Sequence, residues 1–260
     1  MVVTALYFIY LFLPIVLLFV GSFGQSWTNT LLPTGTTLSW YWTLFEDGSF
    51  RRAFVVSLEV VVATCVVCTV VGLPLSYAMY RSATRGVQAV VRVISLLPIA
   101  VPPLVLGFGY ILVFSSDTLP WLGSQWLLIA GHTVLVLPYL LHTLISDMRH
   151  LQLHVLERAA ESLGAGFWRR FIDIVVPSLR HSLASGLIMV AALSIGEFQL
   201  SNLIAGFLSR TYPVVLLQAF YGATGFACAA TVVLLILALL AALGGAGTAR
   251  TAGASRSVGA

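Results

Sequence analysis

The chain has 260 residues, of which 59% are hydrophobic and only 8% are charged, and its formal net charge is +4. Because a soluble domain averages about a quarter charged residues, this composition excludes one with an ordinary water-facing surface. Long apolar runs that contain glycine and proline predict helices, since the strands of a membrane barrel would alternate apolar and polar residues over about ten positions. The sequence therefore predicts an all-α integral membrane protein.

Six apolar stretches have the ~20 residues that a helix needs to cross the hydrocarbon. In chain order the predicted spans are Thr4–Phe23, Phe54–Tyr80, Val93–Phe114, Trp126–Asp147, Ser182–Gly206 and Ala223–Gly245. The third contains Pro98, Pro102 and Pro103. Such breaks persist where protein or water satisfies the freed backbone groups, so they predict a bend beside a cavity or a subunit contact, or else a simple structural kink.

All the positive charge comes from arginine, since the chain contains no lysine. In the six-span arrangement three of the 13 arginines, Arg51, Arg52 and Arg210, fall on one side of the membrane. The other ten are Arg81, Arg85, Arg92, Arg149, Arg158, Arg169, Arg170, Arg180, Arg250 and Arg256. An excess of basic residues marks the cytoplasmic side, so both termini are predicted to be cytoplasmic. This charge orients the protein and does not indicate nucleic-acid binding.

The first apolar run is interpreted as a retained span, because no basic residue precedes it and it is longer than the core of a signal peptide. Cleavage there would leave five spans and place the two ends on opposite sides. The segment Leu38–Phe45 is predicted to be amphipathic and to lie at the membrane interface. The chain is therefore divided into three units. Residues 1–53 hold the first span and an outer segment, 54–245 form a core of five spans, and 246–260 are predicted to be a disordered tail.

The loop 148–181 joins the fourth and fifth spans and is far longer than the ~2–8 residues usual between packed helices. Leu156, Ala159, Ala160 and Leu163 recur at helical spacing, so an amphipathic helix is predicted there. The glycine that follows is a typical helix stop. The remaining residues predict a second helical piece, Phe167–Ile174, and then the first turn of the helix that leads into the fifth span, where Pro177 is expected.

This loop resembles the EAA motif of the inner-membrane permeases of ABC importers. The family pattern is E-A-A, three residues, G, nine residues and I-x-L-P. The chain has Ala159, Ala160, Gly164, Ile174 and Pro177 at the corresponding spacing. Two positions depart from it, because Arg158 stands where the family has glutamate, with Glu157 one residue earlier, and Val176 stands where the family has leucine.

The resemblance implies a type I ABC importer permease with six transmembrane helices and a cytoplasmic coupling helix that docks on an ATP-hydrolysing subunit. The residues that it assigns to coupling are Glu157, Arg158, Ala159, Ala160, Leu163, Gly164, Ile174 and Pro177. It also implies two ATPase subunits, which bind ATP and magnesium, a second permease, expected to be a different chain, an extracytoplasmic binding protein and the lipid of a bacterial inner membrane. The residue types alone leave open a surface helix lying on the inner leaflet.

Within that family, Ser39-Trp40-Tyr41 and Gly196-Glu197-Phe198 resemble permeases for polyamines, 2-aminoethylphosphonate and ferric iron. This implies a small polar solute, with a polyamine-like cation or an aminophosphonate favoured.

Candidate residues of the translocation path are Glu197, Gln199, Asn202 and Glu59. Because an ionised carboxylate at mid-membrane is unfavourable by about 2.5–3.5 kcal/mol on insertion scales, Glu197 is expected to face a cavity or a hydrogen-bonding partner. The alternative is a polar contact between helices. The alternatives for Glu59 are a simple interfacial charge, which is favoured, a pair with Arg51 or Arg52, or a contact for a delivery protein.

Two further pairs of residues carry weaker expectations. His132 and His142 on the fourth span are interpreted as packed, hydrogen-bonded histidines rather than metal ligands. Arg210 and Tyr212, in the loop after the fifth span, are candidates to touch a binding protein.

The chain contains no G-x-x-x-x-G-K-[ST] loop, so it has no phosphate-binding loop of that kind. It is therefore predicted to be a non-catalytic subunit that binds no cofactor or metal. Two alternatives have less support. A stand-alone secondary transporter or channel would need paired ionisable groups and repeated halves. An intramembrane protease would need a nucleophile motif, and Leu183–Gly186 and Gly107–Tyr110 do not supply one.

Overall fold

A computed structural model of the chain describes most of its backbone. The described residues are 2–27, 30, 32–82, 86, 89, 93, 97–98 and 100–256, and the side chains of 2, 5 and 241–256 are not described. The predictions that involve Arg85 and Arg92, and part of the predicted third span, lie outside these residues.

The described chain is almost entirely helical. In order, its helices are α1 (Val2–Ser22), α2 (Ser39–Glu46), α3 (Gly48–Arg81), α4 (Pro103–Phe114), α5 (Gln125–His150), α6 (Leu153–Ser162), α7 (Phe167–Arg170), α8 (Val176–Ser178), α9 (Arg180–Ile195), α10 (Gln199–Ile204), α11 (Tyr212–Phe220) and α12 (Thr224–Arg256). A π-helical turn, Phe171–Val175, joins α7 to α8. A short antiparallel hairpin, β1 (Gly24–Ser26) with β2 (Thr34–Thr36), is an addition to the predicted all-α architecture.

Two helices of the described chain, α3 and α5, are long and apolar enough to cross a membrane. The bent pair Phe167–Ser178 and Arg180–Ile195, which meet at 65°, passes the same test together. Shorter apolar helices cover Leu6–Ser22, Pro103–Phe114 and Thr224–Leu240. The count of six spans therefore stays a prediction, although each predicted span coincides at least in part with an apolar helix.

The predicted fifth span, Ser182–Gly206, is not one continuous helix. Helix α9 ends at Ile195, and α10 begins only at Gln199. The Glu197 carboxylate accepts hydrogen bonds from the backbone N–H groups of Leu200 and Ser201, at 2.7 and 2.9 Å. Side-chain acceptors of this kind satisfy the free donors at the start of a helix, so the break is stabilised by the acid that interrupts the apolar run.

The last helix, α12, continues to Arg256, beyond the end of the predicted sixth span at Gly245. Alanine and arginine favour helix, and adding residues to a formed helix is easier than starting a new one.

The main core lies where α3, α5 and α9 pack against one another. It takes in residues of the segment between α5 and α9, as well as α10. Its fully buried side chains are Val60, Cys68, Leu127, Leu128, Leu140, Leu144, Met148, Leu153, Val175, Leu179, Val190, Leu200 and Ile204. Burial of such side chains contributes about 1.5–3 kcal/mol each, so the segment between α5 and α9, called the connecting segment below, is held firmly to the bundle.

The aromatic segment before α3 forms the helix that the sequence predicts. In α2, Leu44 is buried while Trp42 and Phe45 are exposed, as expected of an amphipathic helix at an interface. The indole N–H of Trp40 donates to the carbonyl of Gly24 at 2.8 Å, which ties α2 to the hairpin.

Described arginines lie at both ends of the bundle. Arg81, Arg149 and Arg180 lie at the ends of α3, α5 and α9 that adjoin the connecting segment. At the opposite end Arg52 and Arg210 line one small cleft. We refer below to the arginine-rich end and the opposite end.

Candidate functional site

The segment between α5 and α9, residues 151–179, is called the connecting segment. Its second residue, Gln152, has a φ of 47°, in the left-handed region, and this turns the chain sharply into α6. Helix α6 ends at a turn in which the N–H of Ala165 donates to the carbonyl of Ala160 and that of Gly164 to the carbonyl of Glu161. These two bonds define a Schellman motif, and Gly164 has the positive φ, 84°, that the motif requires.

The inner face of α6 is fixed to α3. Glu157 is only 6% exposed, and its Oε1 accepts a hydrogen bond from the hydroxyl of Tyr77. The guanidinium of Arg81, one turn further along α3, lies 3.9 Å from the same oxygen. Because a buried carboxylate is costly unless it is paired and hydrogen-bonded, these partners allow Glu157 to point into the protein.

A second ion pair joins α6 to α7. The Nη1 of Arg170 lies 2.9 Å from Oε2 of Glu161. A polar cavity of about 400 Å³ opens between the helices and is lined by Tyr80, Arg81, His154, Glu157, Arg158, Glu161 and Arg170. The aromatic rings of Tyr77 and Phe171 pack at 5.2 Å beneath it. The connecting segment is therefore a rigid projection rather than a loose loop.

The outer face of α6 carries most of the coupling residues that the sequence predicts. Arg158 and Ala159 are exposed, and Leu163, at the tip of the turn, is 88% exposed. Within the described part of the chain, no atom lies within 4 Å of a Cβ added at Gly164. The projection thus ends in an apolar side chain with open space around it.

The remaining coupling candidates are not on this outer face. Glu157 faces inward, Ala160 is half-buried and Ile174 packs against the core. Pro177 lies in the first turn of α8, where the sequence placed it, but a 65° bend and not a continuous helix follows. The π turn before it fits the ring of Pro177, which removes one donor and crowds the carbonyl four residues earlier.

A buried polar cluster, formed by His132, Ser194, Glu197 and Ser201, lies inside the bundle. Oε2 of Glu197 accepts a hydrogen bond from the hydroxyl of Ser201 at 2.6 Å. Nε2 of His132 is 2.8 Å from the same hydroxyl oxygen and Nδ1 is 2.7 Å from that of Ser194. Since the Ser201 proton is committed to the carboxylate, its oxygen accepts from Nε2–H of His132. The prediction of a packed, hydrogen-bonded His132 is confirmed.

The cluster borders a cavity of about 330 Å³ beside the proline-rich segment. Its lining includes Glu197, Tyr139 and Pro98, Pro102 and Pro103. The prolines that predict a bend therefore line a cavity, and the bend itself stays a prediction. The Glu197 carboxylate lines this cavity, accepts hydrogen bonds from Leu200 and Ser201, and lies 3.6 Å from Nε2 of His132 on α5. Its assignment to the translocation path stays a prediction.

Glu59 is exposed and accepts a hydrogen bond from Gln125 at 2.8 Å, and its assignment to the path or to a simple interfacial charge stays a prediction. Two other sequence predictions for single residues are wrong. His142 is exposed rather than packed, because it lies on the face of α5 opposite the core. Tyr212 is only 3% exposed: its N–H donates to Ser57 and its hydroxyl to the carbonyl of Ala230, so it belongs to the core between α3 and α12 and offers no surface to a partner.

The two other path candidates, Gln199 and Asn202, are exposed on α10 and are not among the residues that line the cavity. Sequence reasoning also missed Tyr77 and Arg81. They are separated from Glu157 by 80 and 76 positions, so no local pattern links them.

The family model described as "Binding-protein-dependent transport system inner membrane component" matches residues 69–246, which is well over half of the chain. The chain belongs to this family. It is an inner-membrane permease component of an ABC importer, and the matched region includes both the connecting segment and the buried polar cluster.

Two relatives illustrate the range within the family. PhnV of Salmonella paratyphi A, which carries the name of a 2-aminoethylphosphonate transport system permease protein, is 26% identical over 196 residues, or 75% of this chain and 72% of the relative. PotC of Escherichia coli K12, a spermidine/putrescine transport system permease protein, is 28% identical over 206 residues, or 78% of this permease and 75% of PotC.

Solved structures show the same fold. A chain of a bacterial ABC transporter involved in the import of alginate aligns with a TM-score of 0.78 at 16% identity, covering 95% of this permease and 92% of that chain. A second structure of an alginate transporter, in complex with an alginate-pentasaccharide-bound periplasmic protein, aligns with a TM-score of 0.76 at 17% identity, covering 96% and 91%.

Proposed function

We propose that this permease forms half of the translocation path of an ATP-driven importer and docks on an ATPase subunit through α6 and the Gly164 turn. The observation that carries the proposal is the exposed tip of the connecting segment. The residues with the family spacing form a rigid helix and turn whose apolar end residue, Leu163, is 88% exposed. Leu156, Phe167 and Trp168 of the same segment are exposed too, and exposed apolar residues grouped on a well-anchored projection mark a protein contact.

The anchoring of α6 supports a mechanical role. Movement of its outer face is passed to α3 through Glu157 and Tyr77, and to α9 through the helical segment 167–178. The hydroxyl of Ser182, at the start of α9, also donates to the carboxylate of Asp147 on α5. In this proposal two ATPase subunits bind ATP and Mg²⁺, and this chain binds neither.

The arrangement of arginines supports an orientation. By the positive-inside rule the arginine-rich end, with the connecting segment, is cytoplasmic, as are both termini. The opposite end, with Arg52 and Arg210, then faces an extracytoplasmic binding protein. A second permease, of a different sequence, completes the path within the lipid bilayer, because one bundle supplies one side of a central channel.

The solute is proposed to be small and polar, either a polyamine-like cation or an aminophosphonate. The names of the relatives support these two classes, and the Glu197 carboxylate at the cavity supports a group that carries an amine. An ammonium on either solute is the chemistry that such an acid recognises.

The test is an uptake assay. It uses right-side-out membrane vesicles, or cells, that contain the full set of subunits. Radiolabelled putrescine and 2-aminoethylphosphonate are offered in parallel, with and without the ATPase. Accumulation of either solute that requires the ATPase supports the proposal. Accumulation that persists without the ATPase and follows a proton or sodium gradient would support a stand-alone secondary transporter instead.

A further inference from the structure

The charges of α6 and α7 are mostly neutralised within the chain. Glu157 faces Arg81, Glu161 pairs with Arg170, and Arg169 lies 3.8 Å from Asp173. Arg158 is the exception: among the described residues it has no ion pair or hydrogen bond, and it is exposed.

Arg158 borders the polar cavity and is exposed on the outward side of α6. Successive residues of an α-helix are turned by about 100°, so the burial of Leu153 and Glu157 fixes one face inward. Arg158 then lies beside the exposed Ala159 and Ser162, and Leu163 follows at the end of the helix. The outward face therefore offers one cation, two small residues and exposed apolar side chains, of which Leu163 is the most exposed and Val155 lies one turn before Arg158.

We propose that Arg158 determines the specificity of docking by pairing with a carboxylate on the ATPase, next to an apolar pocket that takes Leu163. This inference rests on the proposed function and names the chemistry of its partner. Because Glu157 is buried against Tyr77 and Arg81, it is not available to the partner, and the outward face has a net positive charge. Complementary charges at the rim of an interface set the partner and the register of docking.

An anionic membrane surface fits this face less well. Attraction to such a surface is about 1 kcal/mol for each basic residue near it, so clusters of several are needed. On α6 and α7, as far as the structure describes them, Arg169 is already paired and Arg170 is buried, which leaves Arg158 as the one cation of these two helices without an ion pair. The small side chains of Ala159 and Ser162 permit the close approach of a rigid partner instead.

The absence of lysine from the chain allows a direct test. The substitution Arg158→Lys keeps the charge and introduces the one side-chain amine of the permease. A zero-length carbodiimide couples an amine only to a carboxylate that it touches. The full transporter is purified in detergent with the ATPase bound, treated with the carbodiimide and analysed by mass spectrometry.

The matched control is Arg51→Lys. Arg51 is exposed and lies on α3 about 45 Å along the helix from Arg81, at the opposite end of the bundle. The expected result is a permease–ATPase product for Arg158→Lys, mapped to an aspartate or glutamate of the ATPase, and none for Arg51→Lys. Arg158→Glu is expected to reduce ATPase retention about tenfold, and reversal of the mapped carboxylate to arginine is expected to restore it.

The inference fails if two results are found together in a transporter whose ATPase co-purifies. The first is that the Arg158→Lys amine couples only to Glu161 of its own chain or to nothing. The second is that Arg158→Glu retains the ATPase as the wild type does. It also fails if Arg158→Glu instead abolishes binding to vesicles of anionic lipid. If the wild-type chain retains no ATPase at all, the proposed function itself is wrong.

Discussion

The hydroxyl of Tyr77, near the end of α3, donates a hydrogen bond to the buried carboxylate of Glu157 on α6, 80 residues away in sequence. This contact joins the connecting segment to a membrane-spanning helix. It is polar at its centre and surrounded by the rings of Phe167 and Phe171. It therefore fixes the orientation of α6 as well as its distance from α3.

Tyr77→Phe should loosen α6 without disturbing the aromatic packing. The variant leaves a buried carboxylate with the more distant Arg81 as its charged partner, which is unfavourable by about 1–3 kcal/mol. Amide hydrogen exchange of peptides covering 153–162 is expected to speed up by about ten- to a hundredfold. Tyr221→Phe, at an exposed tyrosine, is the control and should change nothing. Unchanged exchange in Tyr77→Phe would show that the hydroxyl does not hold α6.

Gly164 should be sensitive to backbone conformation rather than to side-chain size. Its φ is 84° and no atom lies near an added Cβ. Gly164→Val, a β-branched residue, is expected to disrupt the turn and abolish ATPase-coupled uptake, whereas Gly164→Asn should retain most of it because asparagine tolerates this conformation. Uptake is measured in both variants at equal membrane levels. Equal loss in the two would point to a steric requirement instead.

Leu163 should matter for docking but not for folding. Because its side chain is 88% exposed, Leu163→Ser is expected to change the stability of the permease by less than about 0.5 kcal/mol. Retention of the ATPase during purification should nevertheless fall by at least about tenfold, as for an apolar anchor residue at an interface. Phe207→Ser, an exposed apolar residue at the opposite end, is the control. Normal ATPase retention in Leu163→Ser would contradict the proposed docking face.

Glu197 should stabilise the break between α9 and α10. Glu197→Ala removes the acceptor of two backbone N–H groups and of the Ser201 hydroxyl, which is expected to destabilise the bundle by about 2–3 kcal/mol. Thermal unfolding of the detergent-solubilised transporter measures this effect. Gln199→Ala and Asn202→Ala, at exposed positions of α10, should unfold like the wild type. If Glu197→Ala is equally stable but loses transport, the carboxylate acts on the solute alone.

Gly206 should tolerate no side chain, because two loops meet there at the opposite end. A Cβ on Gly206 would lie 2.5 Å from the carbonyl oxygen of Gly123, and backbone is displaced less easily than a side chain. Gly206→Ala is expected to lower the thermal stability by more than about 1 kcal/mol. Gly109→Ala on α4 is the matched control, since an added Cβ there meets nothing within 4 Å. Equal stability of the two variants would mean that the loops separate freely.

Much of this permease follows from local patterns. The long apolar runs predict α3 and α5, and the spacing of small and apolar residues before Gly164 predicts α6 and its end, because helical periodicity and a glycine with positive φ are local properties. The same is true of the charge asymmetry, which depends only on where arginines fall between apolar runs.

The failures share one physical cause. The sequence predicts Glu197 inside a continuous span, but its carboxylate caps a new helix. It predicts Tyr212 on a surface, but Tyr212 is buried and bonded to Ser57 and Ala230. Both outcomes depend on which helices pack together, and hydrophobicity does not distinguish a residue that faces lipid or loop from one that faces another helix.

By itself the sequence determined that the chain lies in a membrane, which end carries the arginines and where a helix and turn interrupt the apolar spans. Only the tertiary structure decided that Glu157 turns inward while Arg158 stays exposed, with no ion pair among the described residues. Two neighbouring charges look equivalent in a sequence, and the partner brought by a distant helix settles which of them can be buried.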